Sequence, residues 1–268
     1  MKKYLILIYS IVCYMAGLCM TAYYFLFFAE LIVPKSINSG SPVSVTLSLV
    51  IDVMLLFLFM LQHSGMARKG FKKLTSRWIP EAAQRSTYVL MTSLTMAFLV
   101  WFWEPLPYVI FNLKSSVAGN VIWALYGLGW VVCLSSTFLV DHLDLFGLRQ
   151  AWYYLKGKRE FNYRLKTPLL YKIIRHPIYL GWLMVHWITP NLTVGHLLFA
   201  VSITIYVYVA IEFEERDLIR DFGSKYINYQ KGTYKVIPFP SLKQKTKHET
   251  KHDLIDTQSN DYNMRGSM

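Results

Sequence analysis

Charge is scarce in this chain. Only 16% of its 268 residues are Asp, Glu, Lys or Arg, where a soluble domain carries about a quarter. The scarcity is lopsided, with 16 acidic residues against 28 Lys and Arg and a formal net charge of +12. Cysteine is scarce too. Cys13, Cys19 and Cys133 all sit in apolar blocks, and no CxxC or Cys/His spacing occurs. Neither a disulfide framework nor a zinc site is supported, so no metal is expected. A glycine-rich phosphate loop is also lacking, which argues against ATP-binding and dinucleotide-binding folds.

What is abundant is apolar. Hydrophobic residues make up 54% of the chain and fall in long blocks that a soluble fold does not need. The blocks predict an all-α, polytopic membrane bundle of four spans plus a C-terminal helical hairpin, five to six transmembrane helices in all. The spans are expected at 4–28, 43–61, 88–103 and 119–140. Lys2 and Lys3 precede the first block as in a signal peptide, but the block is too long for a signal core and no A-x-A site follows. Glu104-Pro105-Leu106-Pro107 stops the third helix. The hairpin arms are expected near 177–188 and 196–211. The first arm, about 18 Å at about 1.5 Å per residue, is short for a core about 30 Å thick. It either begins earlier, near Leu169, or crosses only part way. The turn at Asn191-Leu192-Thr193 matches a sequon but reads better as a helix break and cap.

Basic segments alternate with nearly neutral ones. The N-terminus, 63–87, 141–176 and the chain after 212 are basic; 29–42, 104–118 and 189–195 are not. That pattern predicts a multi-pass protein with both termini cytoplasmic, the expected setting being a bacterial inner membrane. It also accounts for the positive charge without a nucleic-acid partner; the lipid bilayer is the expected partner, and the oligomeric state is left open. Residues 1–240 are expected to form one membrane domain. The lysine-rich stretch 241–268 has no periodicity and is expected to be disordered.

Titratable residues gather on the expected cytoplasmic side. Arg175 and His176 precede one hairpin arm; Glu212, Glu214 and Glu215 follow the other. Such a cluster in lipid is costly unless paired or bound to something, so a site is the default reading. Arg175 can hold a carboxylate or phosphate in a bidentate fork. Glu214 and Glu215 suit an ammonium or ribose hydroxyls. Tyr179, Trp182, Tyr206 and Tyr208 can hold an adenine or a sulfonium by stacking and cation–π contact. The blander alternative is that Arg175-His176-Pro177 pins the chain at the headgroups and the tyrosines form an aromatic belt.

Three pieces then occur in order: Arg175-His176-Pro177-Ile178-Tyr179-Leu180-Gly181, Glu214-Glu215-Arg216-Asp217-Leu218, and Phe222-Gly223-Ser224-Lys225-Tyr226-Ile227-Asn228-Tyr229. Together they resemble the isoprenylcysteine carboxyl methyltransferase and phospholipid methyltransferase superfamily, whose pattern is RHPxYxG, EExxL and FGxxYxxY. Gln62-His63-Ser64-Gly65-Met66-Ala67-Arg68, Arg85-Ser86-Thr87-Tyr88 and the run Asp141-His142-Leu143-Asp144-Leu145-Phe146-Gly147-Leu148-Arg149-Gln150 are similar to the methanethiol S-methyltransferase branch, related to NnrU-like membrane proteins. The resemblance implies an enzyme that uses S-adenosylmethionine from the cytosol and makes dimethyl sulfide from methanethiol.

By that resemblance Arg175, His176, Tyr179, Gly181, Glu214 and Glu215 hold the cofactor, within a region of about 141–240. A small thiol must lose its proton to become the nucleophile. His63 and His142 are the candidate bases, with Asp144 to orient the latter. Gln62, Ser64, Arg149, Gln150, Trp182, Tyr206 and Tyr208 are the candidate substrate pocket. Two alternatives stay open: another methyl acceptor (a prenylcysteine carboxylate, a lipid amine or hydrogen sulfide), or a non-enzymatic membrane accessory protein.

Overall fold

The computed structural model describes residues 1–158 and 165–238; the tail at 241–268 lies outside the described residues. Ten α-helices are described: α1 (Lys2–Ala29), α2 (Val45–Ala67), α3 (Lys69–Thr75), α4 (Glu81–Phe102), α5 (Val117–Val140), α6 (His142–Leu145), α7 (Leu148–Leu155), α8 (Pro177–Trp187), α9 (Val194–Phe222) and α10 (Ser224–Gly232). Among the described residues, α1, α2, α5 and α9 are long and apolar enough to cross a membrane. The all-α polytopic expectation therefore holds. The termini of the long helices are chemically marked. Ser44, Ser116 and Thr193 accept hydrogen bonds from the backbone N–H groups of Leu47, Gly119 and His196, which satisfies donors that a helix start leaves free.

The third expected span is present as α4, but it starts at Glu81 and is not one of those four. Hydroxyl residues dilute its apolar character. Thr87, Ser93 and Thr95 return their hydroxyls to the carbonyls of Ala83, Val89 and Met91, so they leave no donor unpaired in an apolar setting. Met91, Leu94, Phe98 and Trp101 on α4 face outward, as lipid-facing side chains do.

Alternating direction brings the start of α1, the end of α2, all of α3, the start of α4, the end of α5, then α6, α7 and α10, to one face. Ile6, Ala83 and Ala151 meet in a small apolar cluster there. The opposite face is closed by β1 (Val109–Asn112) and β2 (Asn191–Thr193), which pair antiparallel. This ribbon was not expected from the sequence; it ties the 104–118 loop to the hairpin turn. Asp52 of α2, fully buried, accepts from the Glu104 N–H near that end at 2.9 Å.

The hairpin departs from expectation in two ways. Its first arm is only α8, 11 residues, or about 16 Å of helix, so it crosses part way. Leu169–Lys172 forms a separate 3-10 turn rather than lengthening it. The second arm does not stop at 211 but continues to Phe222, so Glu212, Glu214 and Glu215 stand on α9 itself. Similarly α2 runs on to Ala67 and carries Gln62, His63 and Ser64 on its last turns. Protein walls α8 in. A Cβ on Gly181 would meet Cys133 N at 2.6 Å, and one on Gly129 would meet Met184 Cβ at 2.9 Å. Paired small residues let α5 and α8 approach closely, as membrane helices do.

Around α8 lies an aromatic core of Tyr24, Phe28, Trp130, Trp182, His186 and Phe199. Burial of such rings contributes much of the packing of this bundle, because helices in lipid gain little from the hydrophobic effect.

Candidate active site

Pro177 sits at the first position of α8, where its missing N–H costs nothing. This places Arg175 and His176 just outside the helix, on a stretch that runs beside the chain after α10. The N–H groups of Arg175 and His176 donate to the carbonyls of Tyr234 and Lys235, at 2.8 and 3.2 Å. Both side chains then turn toward α9.

Glu215 is the hub. Its Oε1 lies 2.8 Å from Arg175 Nε and 3.1 Å from His176 Nε2, and its Oε2 accepts from Gln230 Nε2 at 3.0 Å. Tyr226 reaches the same Oε1 at 3.5 Å. Arg175 Nη1 also donates to the carbonyls of Gln230 and Thr233. Arg175, His176 and Glu215 are each about 5% exposed or little more. A buried charge survives only when paired and hydrogen-bonded, and here it is. Burial and the nearby Glu215 carboxylate also push the Tyr226 phenol up. So Arg175 and Glu215 hold each other and the chain around them. Their expected grip on a cofactor is largely spent within the protein.

Glu214 points the other way. Its side chain is 46% exposed, accepts from the Tyr179 hydroxyl at 3.0 Å, and lies 3.8 Å from His176 Nδ1. The Lys235 ammonium pairs with Glu212 and lies 3.9 Å from Glu215. One carboxylate of the adjacent pair is thus structural, and its neighbour faces open space.

Beside Glu214 lies a second group of polar side chains. His63 Nε2 is 2.9 Å from the Tyr88 hydroxyl, and His63 Nδ1 is 3.3 Å from Thr92 Oγ1. Phe59 stacks on the imidazole at 5.5 Å. Ser64 Oγ and the Tyr206 hydroxyl are 3.0 Å apart. Tyr88, Tyr179, Tyr206 and Glu214 lie within electrostatic range of one another, with Arg85 beside Tyr88. The arrangement joins α2, α4, α8 and α9 at one level of the bundle.

Other expected site residues fall elsewhere. His142 is buried with Nδ1 2.8 Å from Thr137 Oγ1 and Nε2 3.1 Å from the Tyr14 hydroxyl, sandwiched by Phe138 and Phe146. Asp144 does not orient it; its partner is Gln150 Nε2 at 3.1 Å. The short α6 turn carries the two side chains apart. Burial pushes the Asp144 carboxyl up and the His142 imidazole down. Arg149 pairs with Asp141 rather than lining a pocket. Gln62 bonds Met66 Sδ along its own helix. Trp182 belongs to the aromatic core. Tyr208, two residues from Tyr206, faces outward at 42% exposed, because two residues are over half a turn of helix. Gly181 shapes the α5–α8 contact rather than the site.

Tyr88, Tyr226, Gln230 and Lys235 were not singled out from the sequence. Tyr88 and Tyr226 stand inside quoted motifs, so the signal was there. Gln230 and Lys235 carry no signal; only the return of the chain after α10 brings them in. Among the described residues no group of three His, Cys, Asp or Glu is placed to hold a metal.

The chain is 44% identical over 239 residues to the methanethiol S-methyltransferase of Crocosphaera subtropica, covering 89% of this chain and 94% of that one. To the methanethiol S-methyltransferase of Mycobacterium tuberculosis it is 39% identical, covering 90% and 98%. The chain belongs to the methanethiol S-methyltransferase family. It is also 32% identical to bovine Nurim over 184 residues, 65% of this chain and 70% of that one, which puts the family in a wider group of membrane proteins. No family model matches the chain, and no solved structure does. With family membership established, the three motifs acquire a joint meaning. Arg175 and His176 from the first, Glu215 from the second and Tyr226 from the third share hydrogen bonds on one carboxylate, and the Tyr179–Glu214 pair lies beside them, 3.8 Å from His176.

Proposed function

We propose that this protein methylates methanethiol to dimethyl sulfide, with S-adenosylmethionine as methyl donor, at the cytoplasmic face of a bacterial inner membrane. The observation that carries the reading is the juxtaposition of Glu214 and Tyr179 with the His63–Tyr88 pair, in a chain whose relatives bear that enzyme's name. The basic segments, which gather at the end of the bundle that holds the cluster, support this orientation.

The donor set suits the cofactor. Glu214 is an acceptor with half its surface free, fit for an ammonium or a ribose diol. Lys235, partly exposed beside Glu212, is fit for a carboxylate. Tyr179 and Tyr206 are the aromatic rings beside Glu214 to which a sulfonium would be drawn. S-adenosylmethionine, when bound, supplies an electrophilic methyl group.

The protein's part is alignment and a proton. His63 takes the proton of the thiol, since the thiolate is the nucleophile. Tyr88 and Thr92 hold the imidazole by both nitrogens, and the Tyr88 hydroxyl, within reach of either one, gives way on one of them to the acceptor. Phe59 keeps the ring from turning and excludes water on that side. Arg175, Glu215, Gln230 and Tyr226 hold α9 and α8 in register, which keeps Glu214 and Tyr179 where the cofactor needs them. The neutral thioether product leaves through lipid.

The test is a headspace assay on purified protein in detergent, given S-adenosylmethionine and methanethiol, with dimethyl sulfide read by gas chromatography. Product lost in Glu214→Ala is the expected result. Cofactor binding without product would move the acceptor to another class; neither binding nor product would overturn the enzyme reading.

A further inference from the structure

A hollow of about 350 Å³ lies between the start of α1 and the start of α4, and reaches Thr87, the residue before Tyr88. Its walls include Ile6 and Tyr9 of α1, Trp78 and Ile79 of the segment before α4, and Ala83. Lys2 stands at its rim. The surroundings are those of a bilayer edge. Tyr4, Leu5 and Ile8 on α1, and Leu74 and Trp78 before α4, are all more than half exposed. Exposed to water they are costly; at the headgroup level Trp and Tyr are favoured.

Lys2 lines this hollow, and Lys73 and Arg77 line the one beside it. Among the described residues, neither Lys2, Lys73 nor Arg77 has a carboxylate partner, whereas nearby Lys69 and Arg68 pair with Asp221 and Asp217. Glu81 is the sole acidic residue between 53 and 103, and it makes none of those pairs. The Arg77 guanidinium lies 3.7 Å over the Trp78 ring, which holds a cation directly beside the apolar wall. A second hollow, of about 450 Å³, is lined by Gly70, Lys73, Leu74 and Arg77. The two hollows therefore flank the Arg77–Trp78 pair.

We propose that the groove between α1 and α4 binds one anionic phospholipid, with an acyl chain against Ile6, Tyr9 and Ile79 and its phosphate at Lys2 and Arg77. The apolar floor suits a chain and the basic rim suits its headgroup. Each Lys or Arg near an anionic surface contributes about fivefold in affinity, so charge, not shape, selects this lipid over a zwitterionic one. The proposal is independent of the catalytic reading.

The full chain, purified in a neutral detergent, is offered phosphatidylglycerol or phosphatidylcholine at equal mole fraction, and retained lipid is read by native mass spectrometry. The expected result is about tenfold or greater preference for phosphatidylglycerol, lost in the Lys2→Gln/Arg77→Gln double variant. That variant touches exposed side chains only, and its melting temperature in detergent without lipid verifies its fold. Equal retention of the two lipids, or an unchanged preference in the variant, would overturn the proposal. So would displacement of the lipid by millimolar inorganic phosphate, which would mark a headgroup site without a chain. Retention of phosphatidylglycerol only after removal of residues 241–268 would assign the groove to the chain's own tail instead.

Discussion

Arg175 Nε and Glu215 Oε1 meet at 2.8 Å with both side chains under 10% exposed. The pair joins the segment before α8 to the far part of α9, 40 residues apart in sequence. It is the joint on which the proposed catalytic cluster hangs.

Arg175→Ala leaves the Glu215 carboxylate buried and short of its cation. Breaking a buried pair this way costs about 3–5 kcal/mol, so the melting temperature in detergent falls sharply. Arg175→Lys recovers only part, because an ammonium cannot hold Glu215 and the Gln230 and Thr233 carbonyls with a fixed fork.

The two adjacent glutamates separate cleanly. Glu215→Gln lowers thermal stability. Glu214→Gln leaves the melt unchanged and weakens S-adenosylmethionine binding about tenfold or more, the loss expected for one hydrogen bond to a charged group at about 1.5–3 kcal/mol. Isothermal titration of the two variants reads this directly.

His63→Gln keeps cofactor binding and lowers turnover about 10²–10⁴-fold, the usual contribution of a positioned base. Its residual rate climbs with pH, because only thiolate formed in solution can then react. Tyr88→Phe loses less. A pH series of headspace assays measures both.

His142→Phe keeps activity, since the imidazole is enclosed by Phe138, Phe146, Thr137 and Tyr14, apart from the group that His63 joins. The variant differs in stability against pH. The folded imidazole titrates below its ordinary value, so the unfolded chain binds the extra proton first. Wild-type stability therefore falls as pH drops through about 6.5 and below, and His142→Phe shows a smaller fall in thermal melts at pH 5 and pH 7.5.

Gly181→Leu brings a side chain onto the backbone of Cys133, where even a Cβ comes to 2.6 Å. Overpacking costs about 1–3 kcal/mol or more, and α8 shifts with Tyr179 on it. The melt drops and cofactor affinity drops with it.

Much of this protein was legible as a string of residues. The long apolar blocks determined the membrane class and, within a few residues, α1 and α5, because lipid thickness and helix rise leave few choices. The ordered motifs determined the family. Pro177 and Thr193 marked helix starts that the structure bears out, each through a local backbone effect. Local chemistry of that kind does not depend on the rest of the chain.

What the tertiary structure decided is which side chains meet. Two adjacent glutamates are indistinguishable in sequence; a rotation of about 100° along α9 buries Glu215 on Arg175 and leaves Glu214 facing Tyr179. Two histidines looked alike as bases. One is enclosed between Phe138 and Phe146, and the other meets Tyr88 at the level of Glu214. The reason is physical: burial and hydrogen-bond partners come from helices far apart in the chain, α9 with the start of α8 for the glutamates, α1 with α6 for His142 and α2 with α4 for His63.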